Sequence, residues 1–357
     1  MRRTGTPPDE GIGEYHRGYI LRSRARFLLI PFDWAPEDMI DCDAMYKKIL
    51  KKLVRLRDHL GAFSFGLAVH TFSRLPLWGV RTVSHVTFFL LYPLVGLLLG
   101  LRRRVAKNIQ TAYQDTLTKR EAKKIARRVI FNQLIFFTDL FFFFNPRNRG
   151  VFREQVTIEG LQHLASAARN GKGMIGVSAH LGNFQLMMLR FSIEDIRFVT
   201  LIKQPKSEIM ADAWDYFMDM AGLKRIMMKN RVSALKEIVR ELRRSSFVMF
   251  VADEFTRRGG HPVTFFGRKT SMAAGPSSLA LRMGVPLLPT FIVREKGGNY
   301  RIIIDEPIGF VPTGDLASDV VVLTQRRVDI LEEAIRKYTD QWLWTQSRWK
   351  KRRYGRA

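Results

Sequence analysis

Met174-Ile175-Gly176-Val177-Ser178-Ala179-His180-Leu181-Gly182-Asn183-Phe184-Gln185 decides the fold. Residues 174–179 are a short apolar run that reads as a strand. Gly182 lets the backbone turn tightly. Asn183 suits the N-cap of a helix over 183–192. His180 therefore stands at a strand–helix junction. The same alternation continues outward. Residues 198–202, 247–252, 286–293 and 300–304 read as strands, and 207–221, 232–244, 272–283 and 318–337 as helices. This pattern predicts an α/β domain over 151–350, with a mostly parallel central sheet flanked by helices. Sites in such folds lie beyond the carboxyl ends of the strands, which is where His180 falls.

The regions around this domain are basic or apolar. Residues 1–70 form a basic N-terminal extension. Within it, 44–60 reads as an amphipathic helix, with Met45, Ile49, Leu53 and Leu56 at helical spacing among Lys47, Lys48, Lys51, Lys52 and Arg55. A solvated face and a membrane-surface helix both fit that pattern. Met1–Arg26 lacks the apolar stretch of a secretory signal.

Residues 71–150 read as membrane-anchoring and lead-in helices. Val86–Leu101 carries no charge, but its length of about 16 residues is short of the ~20 a spanning helix needs, and Pro93 kinks it. Arg102, Arg103, Arg104 and Lys107 follow and favour the cytoplasmic side. A short span, a re-entrant or monotopic segment and a buried helix remain open. Residues 105–144 read as one helix ending in an aromatic run, which is core packing or membrane-facing surface. Asn145-Pro146 stops it. A basic tail occupies 351–357.

Composition narrows the function classes. Apolar residues at 46% exclude general disorder, and a net charge of +26 implies anionic partners. Acidic lipid, phosphorylated substrates and nucleic acid would all answer. No nucleic-acid module is recognisable, so anionic membrane lipid is the expected partner and nucleic acid is not. The single cysteine, Cys42, excludes a disulfide framework. His85, His163 and His261 lack metal-ligand spacing, and no metal or cofactor is expected. Gly176–His180 misses the serine-hydrolase elbow, and there is no phosphate-binding P-loop or dinucleotide fingerprint. His180 remains, an imidazole suited to general-base work near neutral pH. Arg257, Arg258 and Arg268, read as parts of a Gly-rich loop after the 247–252 strand, suit a phosphate group.

His180-Leu181-Gly182-Asn183-Phe184-Gln185 resembles the H-x4-D/E signature of glycerolipid acyltransferases, in the form used by the late acyltransferases of lipid A biosynthesis. Ordered motifs extend the likeness from about residue 75 to 350. They include Arg102–Arg104 with Asn108, Val156–Gly160 before Gly171–Gly173, and Asp253-Glu254 with Gly259-Gly260 and Thr264–Arg268. Leu287–Phe291 with Arg294, Gln341–Trp344 and Arg348–Lys350 complete the series.

The resemblance implies a membrane enzyme at the cytoplasmic face of the inner membrane. It would move an acyl group from an acyl carrier protein or coenzyme A thioester to a hydroxyl or amine of a lipid or glycolipid. His180 would be the base, with Asn183, Lys203, Glu254, Arg257, Arg258, Arg268 and Arg294 toward substrate. The acid position holds Gln185, which cannot carry charge. Another carboxylate then substitutes, with Asp253, Glu254, Glu194 and Asp195 available, or the chain is an impaired homologue that binds lipid or a partner enzyme.

Overall fold

The computed structural model describes residues 42–349, except 99, 115, 170, 204–206, 229 and 258–259. Two compact units divide the chain, Met1–Lys52 and Leu53–Ala357. Of the first, the described part begins at Cys42 in helix α1 (Cys42–Phe72). The amphipathic pattern expected over 44–60 lies partly outside the described side chains, which there are Leu50 and the run from Lys52 onward.

Three further helices lead into the sheet domain: α2 (Leu77–Leu98), α3 (Leu101–Tyr113) and α4 (Lys119–Phe143). The apolar block expected over 86–101 is split. α2 runs through Pro93, and Gly100 takes a left-handed conformation before α3 starts. One side of α2 packs on α4, where buried Ser84 Oγ donates to Thr138 Oγ1 at 2.8 Å. The other side exposes Trp78, Val86, Phe89 and Leu90. Among the described residues no single helix is long and apolar enough to cross a membrane.

The single helix expected over 105–144 is two. Thr118 starts α4 with a capping box, accepting from Glu121 N while the Glu121 carboxylate accepts from Thr118 N. Of the aromatic run that ends α4, Phe136, Phe142, Phe143 and Phe144 are core, while Phe137 is half exposed.

After α5 (Arg149–Gln155) come β1 (Val156–Glu159), α6 (Leu161–Ala168), β2 (Met174–Ser178), α7 (Phe184–Ser192), β3 (Phe198–Ile202), α8 (Glu208–Ala221), β4 (Arg225–Met227), α9 (Arg231–Arg243) and β5 (Phe247–Val251). A hairpin of β6 (Gly260–Phe265) and β7 (Arg268–Ala273) follows, then α10 (Gly275–Met283), β8 (Leu287–Arg294), β9 (Tyr300–Ile304) and α11 (Leu316–Lys337).

Seven strands form one sheet in the order β1-β9-β8-β2-β5-β3-β4. Every neighbouring pair is parallel except β8 with β9. Alternate residues face opposite layers. Met174, Phe247 and Met249 join Leu186, Met187 and Phe191 of α7. Ile175, Val177 and Val248 join Ala234, Ile238 and Leu242 of α9 and Ala280 of α10.

The chain leaves β2 toward β3 on one side of the sheet and leaves β5 toward β8 on the other. Adjacent strands whose connections diverge open a crevice at their carboxyl ends. His180 follows β2 and Asp253 follows β5, so both stand at that crevice.

Candidate active site

The strand–turn–helix at 174–192 is fixed by Gly182. Its φ is +58°, and a Cβ there would run into the Ile292 carbonyl oxygen. Gly182 N donates to the Gln341 carbonyl at 3.0 Å, and Leu343 N donates to the His180 carbonyl at 3.0 Å. The His180 backbone is thus held by the segment 341–343, far away in sequence.

His180 Nδ1 lies 2.6 Å from Asp253 Oδ1. With Nδ1 protonated and donating to the carboxylate, Nε2 is the nitrogen left to accept a proton. Glu254 Oε1 is 3.9 Å from Nε2, and the Phe184 ring meets the imidazole edge-on, 4.8 Å between centroids.

Asp253 is fully buried. Its Oδ2 accepts from Trp342 Nε1 at 2.7 Å and from Arg348 Nη2 at 3.1 Å. Arg348 Nε also donates to the Asp253 carbonyl at 2.9 Å. Burial pushes the Asp253 carboxyl up, but the His180 and Arg348 charges and the bonds from His180 and Trp342 outweigh it and hold the group well below the usual carboxylate range. Burial likewise pulls the His180 imidazole down, and the adjacent Asp253 carboxylate leaves it net above its ordinary 6.5. Behind them Arg327 of α11 is fully buried, bridging the carbonyls of Ala252 and Ala273 at 2.9 and 2.8 Å. Burial pushes Arg327 down to about 10, so it stays charged near neutral pH.

Gln185 is absent from the bonds made by His180. It sits in the first turn of α7 and faces α4, lining a small cleft with Gln133, Phe136, Phe137, Leu140 and Gly182. Successive helical residues point in different directions, so Phe184 packs on His180 while Gln185, the next residue, is directed to α4. Asn183 is buried and engaged at both ends: Oδ1 caps α7 through Leu186 N at 3.4 Å, and Nδ2 donates to the Phe136 carbonyl at 2.7 Å.

The expected Gly-rich loop is largely the β6–β7 hairpin. Phe266 and Gly267 both have positive φ, the geometry of a tight two-residue turn. Arg268 is exposed at the start of β7, and Arg257 is exposed between β5 and β6. Lys203 is exposed just after β3, and Arg258 lies outside the described residues. The Arg294 backbone is clasped by Gln341, whose Oε1 accepts from Arg294 N at 2.8 Å and whose Nε2 donates to its carbonyl at 2.9 Å. Glu194 pairs with Arg190 and Arg153, away from His180. Asp195 lines a separate apolar cleft of about 310 Å³ with Leu161, Leu164 and Phe247.

Trp342, Arg348 and Arg327 were legible only as letters of a closing motif and of a helix. Their signal was the burial of an indole N–H and two guanidinium groups, which sequence does not display. Asp139 is a further buried acid, in α4. Its Oδ2 accepts from Tyr300 Oη at 2.7 Å, and burial raises its carboxyl. Among the described residues no cluster of His, Cys, Asp and Glu is arranged to hold a metal ion.

Residues 70–351 match the family described as bacterial lipid A biosynthesis acyltransferase. A phosphatidylinositol mannoside acyltransferase of Mycobacterium tuberculosis is 27% identical over 195 residues, 54% of this chain and 59% of the relative. One of Mycolicibacterium smegmatis is 26% identical over 205 residues, 57% of this chain and 65% of the relative. The chain thus spans about three fifths of the length of the curated relatives it matches.

Proposed function

The chain belongs to the bacterial lipid A biosynthesis acyltransferase family, and on that premise we propose that it transfers a fatty acyl group from a thioester to a hydroxyl or amine of a lipid or glycolipid. The observation that carries this reading is the 2.6 Å pair between His180 Nδ1 and buried Asp253 at the carboxyl ends of adjacent parallel strands. In the proposed step His180 Nε2 takes the proton of the acceptor hydroxyl as its oxygen attacks the thioester carbonyl. The carbon–sulfur bond then breaks, the proton passes to the departing thiolate, and ester and free thiol leave. Asp253 orients the imidazole and stabilises the imidazolium, the work for which Gln185 is unsuited. A carboxylate on His180 favours the catalytic reading over an impaired homologue.

Acyl carrier protein and coenzyme A both present the required thioester. The acceptor class follows from the names of the family and of the relatives, which join acyl transfer to lipid-linked sugars.

The bilayer would be met through the helical region. Leu53, Leu56, Leu60, Phe63 and Leu67 follow a three–four spacing along α1, and all are exposed. Exposed Trp78, Phe89 and Leu90 of α2 add apolar surface, and the net charge suits anionic headgroups. Monotopic attachment to the cytoplasmic face of the inner membrane fits this pattern.

Thioester turnover by the purified protein, with acyl-carrier-protein and coenzyme A donors and a mixed acceptor lipid extract, tests the proposal. His180→Ala is expected to lose ~10²–10⁴-fold in turnover. Equal product from wild type and His180→Ala overturns it.

A further inference from the structure

We propose that Arg348 is a positioning residue of the site: it fixes the Asp253 carboxylate at both its side chain and its backbone, and so leaves His180 able to gain and lose a proton. This rests on His180 being the base, and it adds a second charge that the dyad needs.

Two observations carry it. The first is geometric. One guanidinium bonds Asp253 twice, Nη2 to Oδ2 at 3.1 Å and Nε to the backbone carbonyl at 2.9 Å. Those contacts restrict both the side-chain rotation and the peptide that carries it. Trp342 adds the second donor on Oδ2, and Arg348 stacks over the Trp342 ring, 5.0 Å from its centroid. Oδ1 is thereby left for His180 alone.

The second is electrostatic. Arg348 is 1% exposed and Asp253 is 0% exposed, so little water screens either charge. A buried carboxylate paired with imidazole alone would hold the imidazolium strongly and impair a base that must shed its proton. A permanent cation on the opposite oxygen balances the carboxylate before His180 is charged. Other charges near the pair are Glu254 at 3.9 Å from Nε2, which favours the imidazolium, and Arg327, held through the Ala252 carbonyl. Arg348 is the cation that touches the carboxylate itself. Lysine would keep the charge and lose the fork that engages two acceptors at once.

The test reads the proton directly. Protein labelled at the histidine Cε1 is titrated by NMR, with the His180 resonance assigned by its loss in His180→Ala. In Arg348→Gln the His180 midpoint is expected to rise by ~1 unit. In Arg348→Lys it should stay near wild type while turnover falls. An unchanged midpoint in a folded Arg348→Gln protein overturns the inference. If Arg348→Gln fails to fold, Arg348→Lys and Trp342→Phe decide: full turnover in both overturns it, and reduced turnover in both supports it. A raised midpoint in Arg348→Gln, together with a wild-type protein that transfers no acyl group, counts against the proposed function and leaves the hold of Arg348 on the His180–Asp253 pair standing.

Discussion

Replacing Asp253 with asparagine keeps the side chain's size and removes its charge, and the surrounding donors dictate how the new carboxamide must lie. Trp342 Nε1 and Arg348 Nη2 both donate to the Oδ2 position, at 2.7 and 3.1 Å. The amide oxygen must face those two donors, because turning the NH₂ toward them leaves two buried donors without an acceptor. The NH₂ then faces His180 Nδ1, which must accept. The proton moves to Nε2, and the base is in the wrong tautomer.

Such tautomer errors cost up to ~10⁴ in turnover in catalytic triads. A loss of ~10³, about 4 kcal/mol of transition-state stabilisation, is expected here. Single-turnover acyl transfer under saturating donor isolates the effect from binding. Substrate affinity should change little, because the exchanged atom faces His180 and not the crevice.

Stability moves too. The folded Asp253 carboxyl is held below its ordinary 3.8, so its contribution is present above the unfolded value and lost as pH falls through the folded one. Asp253→Asn also leaves the buried Arg348 charge uncompensated, a loss of about 3 kcal/mol near neutral pH. The gap to wild type should narrow in acid. A folded Asp253→Asn protein with turnover within threefold of wild type would refute the reasoning.

Other outcomes follow from the same geometry. Gln185→Glu should change turnover by no more than about twofold, the spread of a substitution that alters no partner of His180; a gain of ~10²-fold would return the acid role to that position. Gly182→Ala should lower the melting temperature, since the left-handed backbone alone costs about 1–2 kcal/mol and the new methyl meets the Ile292 carbonyl; a fully stable variant would contradict the packing at the β2–α7 turn. Wild-type kcat/KM should rise with pH through a midpoint above 6.5, because the neutral imidazole is the active form and its folded value is raised; a midpoint below 6.5 would contradict the Asp253 pairing. Leu60→Asp with Phe63→Asp should weaken binding to anionic vesicles by ~10-fold or more, each large side chain contributing about 1.5–3 kcal/mol when buried in the interface; unchanged sedimentation with vesicles would remove α1 from the membrane surface.

Much of the sheet was written locally. Phe198–Ile202 and Tyr300–Ile304 stand out as strands because β-branched, aromatic and apolar residues fill them apart from Arg301, and the five longer helices of the domain carry clear periodicity. The β6–β7 hairpin was hidden by its own composition, with Gly260 opening it, Pro262 within it and Gly267 at its turn, all of which look like loop. β4, three residues long, is too short to show alternation. The antiparallel β8–β9 pair is a matter of pairing, which no single segment encodes.

The site split the same way. His180 was legible because strand, glycine and cap are contiguous. Its carboxylate was legible only as one candidate among four, because H-x4-D/E spacing points five residues along one chain segment, whereas Asp253 arrives from the neighbouring strand 73 residues on. Arg348 comes from 95 residues beyond Asp253.

That last distance has a consequence for synthesis. A ribosome delivers β2, β5 and the hairpin well before it delivers residues 342–348. Until then the carboxylate beside His180 lacks both of its Oδ2 donors, and Leu343 has not closed on the His180 carbonyl. On the proposed reading, a nascent chain already able to fold its sheet is still an idle one. A growing polypeptide would spend no activated acyl groups before residues 342–348 have docked, so the order of translation itself delays the onset of chemistry.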